Sequence, residues 1–132
     1  MDIEKYSDRM KGFIQSAQSN ALASGHQQFV PEHILKVLLD DPEGLCARLI
    51  DQAGGNSKTL LKNVETALDG LPSVSGSNGQ LYLAPATAKL FGNAEEAAKK
   101  AGDSFVPVER LLTAMAVVKS PAKDALDQGG VS

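Results

Sequence analysis

The second half of this sequence repeats the first, and a duplicated chain has few ways to fold. Phe29-Val30-Pro31-Glu32-His33-Ile34-Leu35 returns as Phe105-Val106-Pro107-Val108-Glu109-Arg110-Leu111-Leu112, with one residue inserted after the proline. Ile50-Asp51-Gln52-Ala53-Gly54 returns as Leu126-Asp127-Gln128-Gly129-Gly130, and Ala17, Ala21 and Gly25 return as Ala94, Ala98 and Gly102. Phe29 lies 76 residues before Phe105 and Ala17 lies 77 before Ala94. Three blocks in one order at nearly one offset mark a duplicated helical unit. Phe29 and Phe105, at equivalent places before their prolines, are expected to pack inward as paired anchors.

The unit reads as four helices. Met10, Phe13, Ile14, Ala17, Ala21 and Leu22 recur at spacings of three and four, after Ser7 as N-cap and before Gly25 as stop. Pro31 opens a second helix with Ile34, Leu35, Leu38 and Leu39 as its buried stripe, ended by Asp40-Asp41-Pro42. A third carries Leu45, Cys46, Leu49 and Ile50 up to Gly54, and a fourth carries Leu60, Leu61, Val64, Ala67 and Leu68 behind the capping candidates Asn56 and Ser57. Residues 70–85, rich in Gly and Ser, form a linker between repeat one (7–70) and repeat two (85–132). The apolar Leu81-Tyr82-Leu83 is expected to anchor its far end to the core. A fourth helix of the second copy would begin after Gly130, where the chain stops, so the sequence reads as part of a longer protein.

A chain of 132 residues suits a single domain spanning 1–132, and 42% hydrophobic with 22% charged residues excludes a disordered tail. Aromatics are scarce and Trp is absent, which favours packed helices over a β-sandwich. The formal charge of −3 and pI near 5.3 argue against nucleic acid or an anionic membrane as partner. No apolar run is long enough to cross a bilayer, and Met1-Asp2-Ile3-Glu4-Lys5 is no signal peptide, so a cytoplasmic location is expected. Seven amphipathic helices use up the apolar residues, so the isolated chain is expected to be monomeric.

Three sketches of chemistry fail on their spacing. Gly54-Gly55-Asn56-Ser57-Lys58-Thr59 has no Gly before the Lys and no preceding buried strand, so it reads as a helix end and a cap, not a phosphate loop. Cys46 sits among Leu45, Leu49 and Ile50, where a thiol is a small hydrophobe with a raised pKa and not a nucleophile paired with His26 or His33. One Cys and two His with no metal-type spacing offer no zinc site. No catalytic, cofactor-binding or metal residue is therefore expected. His33 reads as a satisfied or solvent-facing histidine in the first turn of its helix. Asp103 after Gly102 and Glu109 after Pro107 suit helix capping or the helix dipole; alternatively they rim a groove for a client.

The duplicated unit, with its linker Leu71-Pro72-Ser73-Val74-Ser75-Gly76 through Gly79-Gln80-Leu81-Tyr82-Leu83-Ala84-Pro85, resembles the Clp amino-terminal repeat family over Ser7 to Ser132. The linker is similar to the ClpB branch more than to the ClpA or ClpC branches. The resemblance implies an all-α, pseudo-twofold bundle of two four-helix repeats with its last helix truncated. It implies a substrate-engaging domain, itself without catalytic chemistry, that hands misfolded or aggregated proteins to ATPase rings. ATP and Mg would act in those rings, the full-length protein would be a homohexamer, and a DnaK-type co-chaperone would be its partner through the full-length protein. By motif position, Ser7, Asp103 and Glu109 correspond to a hydroxyl and two carboxylates tied to client handling in the family. Where some ClpB proteins line a groove with leucines, this chain has Asn93, Ala97 and Arg110. The alternative within the family is an adaptor-docking domain of ClpA or ClpC type that feeds a protease.

Overall fold

Among the described residues, six α-helices follow one another in the order the apolar periodicity and the repeat predict. The computed structural model describes residues 3–41, 44–52, 54–73 and 81–117. A 3-10 turn, Ile3–Lys5, leads into α1 (Asp8–Ala23), then β1 (Gln28–Phe29), α2 (Pro31–Leu39), α3 (Leu45–Gln52), α4 (Ser57–Asp69), β2 (Tyr82–Leu83), α5 (Pro85–Lys100) and α6 (Val108–Val117). The expected seventh helix, leading to Leu126-Asp127, lies outside the described residues.

Local chemistry sets the helix ends. The Ser7 hydroxyl accepts the Met10 N–H at 3.2 Å and the Asn56 side chain accepts the Thr59 N–H at 3.1 Å, each satisfying a donor that the helix cannot. Pro31 and Pro85 each open a helix from its first turn. Gly25 and Gly102 leave their helices with φ of 74° and 78°, a left-handed conformation that favours glycine. The glycine-rich stretch read as a false phosphate loop is the α3–α4 turn, where the Asp51 carboxylate accepts both the N–H and the hydroxyl of Ser57.

One core runs through both repeats. Met10, Ile14 and Ala17 of α1, Ile34, Leu35 and Leu38 of α2, Leu60 and Val64 of α4, Leu90 and Phe91 of α5, and Leu111 and Met115 of α6 are all buried in it. Each such Leu, Ile or Phe contributes about 1.5–3 kcal/mol of burial. Helix α1 packs on α2, α5 on α6, and α2 also touches α4 and α5. Leu22, expected in the buried stripe, is instead exposed, in the last turn of α1 before the chain turns at Gly25.

Two short parallel seams join the halves. Ahead of α1, the Ser7 N–H donates to the Val106 carbonyl at 3.0 Å and the Val106 N–H donates to the Lys5 carbonyl at 2.7 Å. Ahead of α5, the Tyr82 N–H donates to Gln27 at 2.8 Å and the Ala84 N–H donates to Phe29 at 3.2 Å, with Phe29 opposite Leu83. Lys5, Ser7 and Val106 of one seam correspond to Tyr82, Ala84 and Phe29 of the other at a constant offset of 77. So the linker's far end is held chiefly by main-chain bonds. Leu81 packs against the core, but Tyr82 and Leu83 are exposed, at 61% and 39%.

The same register corrects the paired phenylalanines. Phe29 is buried at 1% exposure, whereas Phe105 is 56% exposed. The offset is 77 from Ala17/Ala94 through Gly25/Gly102 to Pro31/Val108, so no residue is inserted after the proline and the Phe-Val-Pro recurrence at 76 is out of step by one. In extended backbone a one-residue shift turns a side chain to the opposite face. Val106, buried, therefore takes the place of Phe29, and Phe105 takes the outward place of Gln28.

Candidate functional site: the cleft beside Phe105

The turn from α5 into α6 carries most of the residues singled out above. Val106 is bonded to Lys5 and Ser7, so the start of α1 lies against this turn, with Asp103 three residues before Val106 and Glu109 three after. Lys5, Glu95, Lys99, Asp103, Ser104 and Phe105 line a cleft of about 370 Å³. Lys5 reaches Glu95 at 3.8 Å across it. The buried Tyr6 ring packs edge-on against Phe91, 5.6 Å between centroids. Its hydroxyl closes no hydrogen bond among the described residues; burial first, and then the nearby Glu95 carboxylate, hold its pKa above the ordinary phenol value.

The three predicted residues differ in what they do. Ser7 caps α1, and its main chain ties the seam, so its hydroxyl oxygen is already engaged. Asp103 caps no helix. Its N–H donates to the Ala98 carbonyl at 2.9 Å and its carboxylate accepts the Arg110 Nε–H at 2.9 Å. Glu109 is exposed in the first turn of α6, where its charge meets the positive end of the helix dipole; its carbonyl accepts the Thr113 hydroxyl at 2.9 Å. It lies outside the cleft lining. Asn93 is half-buried and Ala97 exposed on α5, while Arg110 is committed to Asp103.

The sequence reading missed Phe105 as a surface residue, because the repeated triplet pointed the wrong way. It also missed the tie in repeat one that corresponds to Asp103–Arg110. His26 and His33 stand 77 residues before them, and His26 Nδ1 lies 2.8 Å from His33 Nε2 with both rings buried. The equal seven-residue spacing of the two pairs was a signal available in the sequence. Cys46 is buried, and burial, then Asp41, push its thiol up to about 12, as expected of a core position. Among the described residues no cluster of His, Cys, Asp and Glu suits a metal ion, and no helix is long and apolar enough to cross a membrane.

Comparison with known proteins agrees with this architecture. The family described as the Clp repeat (R) N-terminal domain matches residues 5–128. The chaperone protein ClpB of Mesorhizobium japonicum is 61% identical over 133 residues and that of Rhodopseudomonas palustris 63% over 134; each alignment covers 100% of this chain and 15% of the relative. The chain thus spans about 15% of the length of the curated relatives it matches. Among solved structures, the Hsp104 N-terminal domain from Candida albicans superposes with a TM-score of 0.86 at 20% identity, covering 97% of this chain and 83% of that one. The N-terminal domain of ClpV1 ATPase from E. coli has a TM-score of 0.80 at 20% identity, covering 94% and 77%. With a duplicated helical bundle, two seams at one offset and relatives of this similarity, the chain belongs to the Clp repeat N-terminal domain family, in its ClpB branch.

Proposed function

We propose that this chain is the substrate-engaging domain of a ClpB-type disaggregase and that it holds exposed segments of misfolded or aggregated proteins at the cleft beside Phe105. The observation that carries this reading is Phe105 itself, a large apolar ring 56% exposed at the edge of a cleft lined by Lys5, Glu95, Lys99 and Asp103. An aromatic side chain supplies apolar contact while the flanking charges select among segments. Ser7 and Glu109 border the same turn and belong to the proposed site. A cleft of about 370 Å³ with one exposed ring at its edge grips a segment weakly, which suits a domain that must release its client to a motor. The ATP- and Mg-dependent motor, its homohexameric state, a DnaK-type co-chaperone and cytoplasmic action belong to the same proposal and lie with the rest of the protein.

Binding to a permanently unfolded protein at two salt concentrations tests the reading. Phe105→Ala should weaken capture about tenfold at both, since loss of an apolar anchor costs on the order of 1–2 kcal/mol. The Asp103→Ala and Glu109→Ala double variant should weaken it mainly at low salt. Undiminished capture by folded Phe105→Ala would sink the site, and capture of a small adaptor protein without affinity for unfolded chains would favour the adaptor-docking reading.

A further inference from the structure

His26 and His33 occupy, in repeat one, the places of Asp103 and Arg110 in repeat two, and their hydrogen bonds leave them a single protonation pattern. The Val30 N–H donates to His33 Nδ1 at 3.0 Å, so that nitrogen bears no proton. The proton of neutral His33 then sits on Nε2, which donates to His26 Nδ1 at 2.8 Å, and neutral His26 carries its own proton on Nε2. The pair ties the turn after α1 to the N-cap of α2, and Phe29 of β1 stacks on the His33 ring with 5.8 Å between centroids. One added proton has no good place. On His26 Nδ1 it faces the His33 N–H donor, and on His33 Nδ1 it displaces the Val30 N–H.

The surroundings favour opening once a proton arrives. His26 and His33 line a cavity of about 590 Å³ together with the acidic residues Glu65 and Asp69 of α4 and with Lys36 of α2. Helix α1 contributes uncharged Asn20 to the lining, and the flanking chain contributes Ser24, Leu71 and Ser73. On the other side of His26 are Gln27, Gln28, Val30 and Pro72. Glu32 on α2 is buried nearby in sequence, and Tyr82 of β2 is exposed beyond β1. An imidazolium leaving the pair thus has two carboxylates to approach and one ammonium to avoid.

We propose that the His26–His33 pair is an acid-released latch, whose protonation frees the 24–30 turn, uncaps α2 and loosens β1 while the Asp103–Arg110 pair keeps the matching turn of repeat two closed. Burial, and then His26, hold the pKa of His33 down to about 4. The Asp103–Arg110 pair at the same place is held by opposite charges and does not depend on an unprotonated ring nitrogen as acceptor. The two halves of one domain would therefore respond differently to falling pH.

The test is amide hydrogen exchange with imidazole NMR on the whole chain, from about pH 7.5 to about pH 4.5. After correction for intrinsic exchange, protection of the Val30 and His26 amides should fall about tenfold or more, while the Asp103 amide keeps its protection. Equal loss at Asp103, or His33 titrating at the free-imidazole value with Val30 protection unchanged, would overturn the latch. Transplanting the repeat-two pair as His26→Asp with His33→Arg should abolish the response of the 24–30 turn. A folded double variant that still responds like the wild type would also overturn it, and if that variant does not fold, the wild-type titration decides alone.

Discussion

Phe29→Ala removes a ring that is 1% exposed and stacked on His33, and the cavity left behind should lower stability by about 3–5 kcal/mol, read as a drop in the thermal unfolding midpoint. Phe105→Ala, at an exposed position, should change stability by less than about 0.5 kcal/mol and leave that midpoint nearly where it was. A comparable loss from both would mean that Phe105 is buried after all. His33 supplies a pH prediction. Its folded-state pKa lies below that of the unfolded chain, so the unfolded chain binds the proton more readily. The stability it contributes is present above about pH 6.5 and is lost as pH falls toward about 4, a loss on the order of 2–3 kcal/mol. His33→Gln should flatten that part of a denaturant-midpoint profile against pH, and an unchanged slope would assign the loss to other groups. Cys46, buried with its thiol pushed up to about 12, should resist alkylation in the native chain and react at the rate of unfolding, as mass spectrometry can follow.

At the scale of elements, caps and periodicity were readable in the sequence because they depend on neighbours a few residues apart. Ser7 before the Met10–Ile14–Ala17 stripe and Asn56 before Leu60 name their own helices, and both side chains accept the expected N–H. Ser7→Ala should therefore cost about 0.5–2 kcal/mol in denaturant unfolding, and a neutral result would leave the seam's main-chain bonds as all that holds this helix start. Register between the repeats was less readable. The Phe-Val-Pro triplet outweighed the quieter match of Ala17, Ala21 and Gly25 with Ala94, Ala98 and Gly102, although only the latter has the spacing that the packing keeps. Similar side chains suggest an alignment, but burial decides it, and burial depends on the strand partner contributed from across the molecule. The histidine pair was missed for a different reason: its partners meet across the turn between two helices, and only the equal spacing of Asp103 and Arg110 in the other repeat pointed to it.

For the whole molecule, the all-α architecture was legible from composition and repeats, whereas the cleft beside Phe105 was only half legible. Asp103 stood out by its position after Gly102, but its partner Arg110 and the cleft-lining Lys5, Glu95 and Lys99 come together only through tertiary packing. The seams have a further consequence. The strand entering α2 is completed by the strand entering α5, and the segment entering α6 is completed by the segment entering α1, so each half finishes the other's edge. Two bodies that exchange edges across a twofold have the geometry of an isologous dimer, here with both subunits on a single chain. Cutting that chain between Ser73 and Leu81 should leave the two fragments eluting together, and neither should fold when expressed alone. Fragments that folded separately would make the duplication two neighbours in sequence, whereas mutual dependence makes it a dimer that acquired a covalent tether and lost the freedom to dissociate.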